Sequence, residues 1–123
     1  DYQDVTAEVV ADLALKAAAL RSLGVADIIL DPGFGFAKTA EQNFKLLADF
    51  NVFTRLGMPV LAGCSRKSMI WRPLGITPEE SLPGTIALHT VALMKGADII
   101  RVHDVEPAVH TVKLLQMMKE ASK

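Results

Sequence analysis

Two kinds of apolar pattern alternate along this chain. Across residues 2–23 the positions Val5, Val9, Leu13, Ala17 and Leu20 recur every three or four residues, which predicts one buried helical stripe closed by Gly24. Residues 27–30 form a short continuous apolar run, read as a strand, and Pro32, Gly33 and Gly35 break it into a loop. A second helix is predicted from Thr39, with Gln42 completing a capping box, Leu46, Leu47, Phe50 and Phe53 facing inward, and Gly57 ending it. Residues 59–62 read as the next strand, and residues 63–76 as a long polar loop carrying Arg66, Lys67, Trp71 and Arg72. Thr77-Pro78-Glu79-Glu80 opens a third helix running to about Lys95, with Pro83 and Gly84 marking either its first turn or a break. Residues 98–102 give a third strand, and Asp104 is expected to cap a last helix with Pro107 in its first turn and Val109, Val112 and Leu115 inward.

The order α, βα, βα, βα predicts an α/β fold. Strands that read as unbroken aliphatic residues are buried on both faces, and alternation with helices makes their sheet parallel. Functional groups then gather at the strands' carboxyl ends, and here the three runs end in IILDPGFGF, PVLAGCSRK and DIIRVHD. Three strands cannot close a barrel. A (β/α)8 barrel takes about 250 residues, so this chain is expected to supply part of one or to pair with another chain.

Composition narrows the field without pointing anywhere. Half of the 123 residues are apolar and 22% are charged, in the range of one globular domain. The 13 basic and 14 acidic residues nearly cancel, which gives no footprint for nucleic acid. No apolar run approaches the ~20 residues of a membrane span, and no secretory signal is visible, so a soluble, cytoplasmic protein is expected. One cysteine, Cys64, excludes an internal disulfide and suits a reducing compartment. The opening residues lack an initiator Met and read as the lead-in to a helix, as in a piece of a longer protein.

The rim residues carry the chemistry. Asp31 can accept two hydrogen bonds from the amino and ring N–H edge of a guanidine-like heterocycle, with Phe34 and Phe36 offering flat surfaces. The alternative is that Asp31 caps a turn and both Phe residues are core. Ser65 can donate to a carboxylate or ring oxygen and Lys67 can meet a carbonyl or an anion, against the plainer alternative of a solvated basic loop. Arg101 and His103 are two apart on a strand end and so share a side, where a guanidinium fork and an imidazole suit phosphate or pyrophosphate. Cys64 reads as a packed thiol, and His89 and His110, on helices, as surface or packing residues. No metal-ligand spacing, dinucleotide fingerprint or nucleophile elbow occurs in the sequence.

The three motifs DPGFGFAK, GCSRKSMI and IIRVHDV, in this order and spacing, resemble the C-terminal part of bacterial dihydropteroate synthase over essentially the whole chain. The resemblance implies a TIM (β/α)8 barrel of which this chain supplies the last three βα units and a preceding helix, residues 1–123 being the C-terminal part of a single pterin-binding domain. It implies condensation of 6-hydroxymethyl-7,8-dihydropterin pyrophosphate with p-aminobenzoate in folate biosynthesis, with sulfonamides as competitors. Asp31 would hold the pterin edge, and Lys67 would bind the pterin and flank the aminobenzoate. Phe36 would pack on the aminobenzoate ring and Ser65 would bond its carboxylate, with Arg66 nearby. Arg101 and His103 would bind the pyrophosphate, and Arg101 would stack on the pterin. A homodimer is implied for the full-length protein, and Mg2+ is expected to be held by residues outside this chain. The family's first strand and its mobile first and second loops have no counterpart here, so the chain alone is not expected to turn over.

Two other functions compete. A pterin- or methyltetrahydrofolate-binding domain of a corrinoid methyltransferase would keep Asp31 but leave Arg101 and His103 without a pyrophosphate. An inert folding fragment would bind nothing by itself.

Overall fold

The computed structural model describes residues 2–35 and 37–123. Helix α1 spans Val5–Ser22, with the Asp4 carboxylate accepting the Ala7 amide at its N-terminus. Val5, Val9 and Ala17 of the expected stripe are buried, whereas Leu20 lies open. Thr39 begins α2 (Ala40–Ala48) through the predicted reciprocal box with Gln42. A 3-10 turn over Phe50–Leu56 then carries the chain to Gly57, whose φ of 75° ends it. Leu46, Phe50 and Phe53 have no exposed surface and centre the core.

The extended segments are side by side and parallel, but the regular ladder is short. Strand β1 (Leu61–Ala62) pairs with β2 (Ile99–Ile100) in the register Leu61 to Ile99 and Ala62 to Ile100. Residues 27–30 join them through a single bridge, Leu30 to Val60. Alternation separates two faces. Leu30, Val60 and Ala62 are buried beneath the helices, while Ile29 and Ile99 on the other face are exposed. Burial of the strands on both faces is therefore corrected: within this chain nothing among the described residues covers the face that bears Ile29 and Ile99.

Residues 63–76 are not one long loop. They contain helix α3 (Ser68–Leu74), with Pro73 inside it and Gly75 closing it at φ 66°. Only Met69 and Ile70 of that helix are buried, too few to make a periodic signal in the sequence. Thr77 caps a separate 3-10 turn, Pro78–Glu80, and α4 follows as Leu82–Met94, so the break falls at Ser81 and Pro83 sits harmlessly in the first turn. Gly84 has a packing reason: a Cβ there would lie 2.5 Å from Ile70 Cγ2, so the missing side chain lets α4 close on α3.

The last helix, α5 (Val105–Ala121), differs from expectation at two points. Asp104 stands at its N-cap but its side chain caps nothing, because the carboxylate is bonded to Arg66. Val109 and Val112 are exposed, and the half-buried stripe runs instead through Pro107, Ala108, Thr111 and Leu115. Pro107, Ala108 and Thr111 of that stripe face Leu82, Thr85 and Ile86 of α4.

Candidate functional site

Beyond the strand ends the chain keeps the sheet register. Leu61 faces Ile99, an offset of 38 residues, and the same offset joins Ser65 to His103 and Arg66 to Asp104. Two loops leaving neighbouring parallel strands thus meet residue against residue.

Ser65 is buried and its hydroxyl serves His103 twice. The oxygen accepts the His103 amide at 3.1 Å and lies 2.6 Å from Nδ1. With Nδ1 engaged by the Ser65 hydroxyl, Nε2 is the ring nitrogen left for other partners. His103 is exposed, so its free edge is turned to the rim.

Arg66 is fastened all round. Its φ of 54° is unusual for a residue with a Cβ and is sustained only where the surroundings over-determine it. The amide donates to Thr85 Oγ1 at 3.0 Å, and the carbonyl accepts Trp71 Nε1 at 3.1 Å. Its guanidinium forks onto Asp104, Nε and Nη2 lying 3.0 and 2.9 Å from the two carboxylate oxygens, while Nη1 reaches the carbonyls of Pro78 and Glu79. Bonded in this way, Asp104 is held below the usual carboxylate range. Arg66 is spent on the protein itself.

Lys67 donates to the carbonyl of Phe34, tying the second loop to the first. Phe34 is 2% exposed and stacks on Phe50 with ring centroids 6.3 Å apart, so for this ring the core alternative is the right one. Phe36 lies outside the described residues. In the first loop Asp31 is exposed and accepts the Gly33 amide at 2.9 Å, a local turn that uses one carboxylate oxygen. Burial pushes the Lys38 ammonium down, against the pull of the Asp31 carboxylate beside it.

These groups bound an open cavity of about 490 Å³ at the carboxyl ends of the strands, lined among others by Ser65, Lys67, Ser68, Trp71, Arg101 and His103. Asp31 is not part of that lining. By register and alternation it shares the open face of the sheet with Arg101, level with Ile99, two residues further from the rim. The structure therefore brings Ser65, Lys67, Arg101 and His103 together and sets Asp31 below them.

Several residues escaped the sequence reading. Trp71 and Asp104 hold Arg66, and His89, 2% exposed, accepts the Cys64 amide on Nε2 at 2.9 Å. Burial and the nearby Lys67 cation push the His89 imidazole down to about 4, so it is neutral and able to accept. A faint signal existed: Thr85 and His89 are four apart in the largely apolar α4 and face one way. Cys64 is fully buried and its thiol is pushed up to about 12, which fits packing and excludes a thiolate nucleophile near neutral pH. Among the described residues no three His, Cys, Asp or Glu side chains stand together as metal ligands.

A family model described as pterin binding enzyme matches residues 1–103. The chain belongs to the pterin-binding enzyme family. Among curated members, the dihydropteroate synthase of Escherichia coli is 42% identical over 117 residues, covering 94% of this chain and 42% of its own. That of Bacillus subtilis is 39% identical over 120 residues, covering 96% and 42%. Of solved structures in the family, a Yersinia pestis dihydropteroate synthase with a pterine-sulfa conjugate superposes with a TM-score of 0.94 at 33% identity, over 98% of this chain and 49% of that one. The Xanthomonas albilineans enzyme in complex with 7,8-dihydropteroate gives 0.93 at 38% identity, over 97% and 47%. The chain spans less than half the length of these pterin-binding relatives, which are TIM-barrel enzymes.

Proposed function

We propose that the protein is a dihydropteroate synthase, joining 6-hydroxymethyl-7,8-dihydropterin pyrophosphate to p-aminobenzoate, and that residues 1–123 are the last three βα units of its (β/α)8 barrel with the helix before them. The observation that carries this reading is the convergence of Lys67, Arg101 and the Ser65-oriented His103 on one cavity at the strand ends. In this reading the sheet face bearing Ile29, Asp31 and Ile99 is the barrel interior, closed by the rest of the protein.

Each residue then has a task set by its chemistry. Asp31 receives the amino and ring N–H edge of the pterin through the carboxylate oxygen not held by Gly33. Lys67, spanning from the Phe34 carbonyl to the cavity, reaches the pterin and flanks the aminobenzoate. The carbon–oxygen bond to pyrophosphate breaks with its electron pair on oxygen, and the arylamine nitrogen supplies the pair for the new carbon–nitrogen bond before losing a proton. Arg101 and the His103 imidazole meet the negative charge growing on the leaving group. Fixed donors of this kind contribute several kcal/mol when aimed at developing charge. An arylamine is already neutral near pH 7, so no strong base is needed. Ser65 is engaged with His103, which favours Ser68 on the cavity wall for the aminobenzoate carboxylate, with Ser65 acting through the imidazole. Phe36 remains proposed for the aminobenzoate ring.

The described residues offer no metal cluster, and an Mg2+ ion assisting the pyrophosphate would take its ligands from elsewhere in the protein. The same reading carries folate biosynthesis, a cytoplasmic setting, a homodimer and inhibition by sulfonamides, the last supported by a Yersinia pestis relative solved as a sulfonamide drug complex. No helix among the described residues is long and apolar enough to cross a membrane. The test is pyrophosphate release by the full-length protein with both substrates. Arg101→Ala should lower turnover by about 100-fold or more; near-normal turnover would remove Arg101 from this role.

A further inference from the structure

We propose that His89 and Thr85 of α4 are positioning residues that fix the backbone of the ligand-facing loop, residues 63–67, and through it the directions of Ser65 and Lys67. The proposal rests on the reading of the rim cavity as the substrate site.

The geometry is specific. His89 Nε2 accepts the Cys64 amide at 2.9 Å and Thr85 Oγ1 accepts the Arg66 amide at 3.0 Å. The acceptors are one helical turn apart on α4, and the donors are two residues apart on the loop, flanking Ser65. Both acceptors are buried, 2% and 3% exposed, where an unmet amide is costly. Between and beyond these two anchors lie the residues whose aim matters. Ser65 sets the His103 ring, and Lys67 reaches Phe34. Arg66 itself is in a left-handed conformation that its own side chain does not favour, and the Thr85 bond is one of the contacts that hold its backbone there.

Neither acceptor touches the cavity wall, so both act through the loop. A neutral imidazole is required, since a protonated Nε2 would oppose a donor with a donor. Glutamine can present a carbonyl oxygen close to the position of Nε2, whereas leucine fills the space and offers nothing.

The test uses the full-length protein and two readouts, amide hydrogen exchange and the KM for pterin pyrophosphate. His89→Leu should speed exchange of the Cys64 to Lys67 amides by about tenfold or more while α4 keeps its protection, and should raise KM by about tenfold with a smaller change in kcat. His89→Gln should stay within about threefold of wild type in both. Thr85→Val should open the Arg66 amide in the same local way. Unchanged loop exchange in His89→Leu and Thr85→Val overturns the proposal, as does a uniform loss of protection that His89→Gln fails to rescue. Should His89→Leu not fold, His89→Gln at wild-type values together with local opening in Thr85→Val supports it, and a disabled His89→Gln or a silent Thr85→Val overturns it. Wild-type protein that turns over neither substrate would count against the proposed function, while the exchange measurement still decides the anchoring.

Discussion

Residues 63–67 and residues 31–38 leave neighbouring parallel segments at the same rim, yet they are held in opposite ways. Residues 63–67 are fastened from α3 by Trp71, from the Pro78–Glu80 turn by two carbonyls, from α4 by Thr85 and His89, and from the start of α5 by Asp104. Residues 31–38 are held mainly by short-range bonds among their described members: Asp31 to Gly33, Lys38 to Gly33, and Asn43 of α2 to Gly35. Lys67 is the one described side chain of the fastened loop that crosses to them. A site for a flat heterocycle bearing a diphosphate gains from both arrangements. Donors that stabilise developing charge work best when they need no reorganisation, whereas the loop that receives the ring needs room to adjust around it.

The contrast is broken most severely at its bridge. Lys67→Met removes the crossing bond and the cavity's ammonium together, and kcat/KM of the full-length enzyme should fall by about 100-fold or more in steady-state assays. Asp31→Asn tests the looser loop. The amide oxygen can still accept the Gly33 N–H, so thermal stability should hold, while pterin affinity measured by titration calorimetry should fall about tenfold because the charge is gone. Loss of stability with unchanged affinity would reverse the two roles.

A pH dependence of stability is seated in the fastened loop's anchor. The folded imidazole of His89 has its pKa pushed from 6.5 to about 4, so the unfolded chain binds a proton that the folded chain refuses across this interval. Stability should be constant above 6.5 as far as this group is concerned, and fall by up to about 1.4 kcal/mol per pH unit as pH drops toward 4. Asp49 and Asp104, held below their ordinary 3.8, lose their contribution only in more acid solution. Urea unfolding across the window should show the slope in wild type and lose it in His89→Gln.

What the sequence made legible follows the range of the physics involved. The Thr39 box and the burial of Leu46, Leu47, Phe50 and Phe53 depend on neighbours within a turn or two and appear as read, although Phe50 and Phe53 are carried by a 3-10 turn after the α-helix ends at Ala48. The parallel order of the three extended segments follows from unbroken aliphatic runs between helices. Helix α3 was hidden because Pro73 and a single buried Met69-Ile70 pair leave no period to detect. On α5 the valines suggested one face, but packing against α4 chose the smaller Ala108 and Thr111. Within the candidate site, Arg101 stood out because a charged residue emerging from an apolar strand is hard to explain by packing, with His103 two residues on, whereas Lys67 read equally well as part of a solvated basic loop. The bonds of Ser65 to His103 and of Arg66 to Asp104 were not visible, since they depend on a register between segments 38 residues apart that neither segment states alone. His89 looked like packing for the same reason: its partner is a backbone amide on a distant loop.

The central claim is that the rim cavity recognises a pterin through a charged tail as well as through its ring. Titration calorimetry of the full-length protein with 6-hydroxymethyl-dihydropterin and with its pyrophosphate tests this directly. The pyrophosphate should bind at least about tenfold more tightly, and Arg101→Ala should erase the difference. Equal affinity for the two ligands in the wild-type protein would contradict the account.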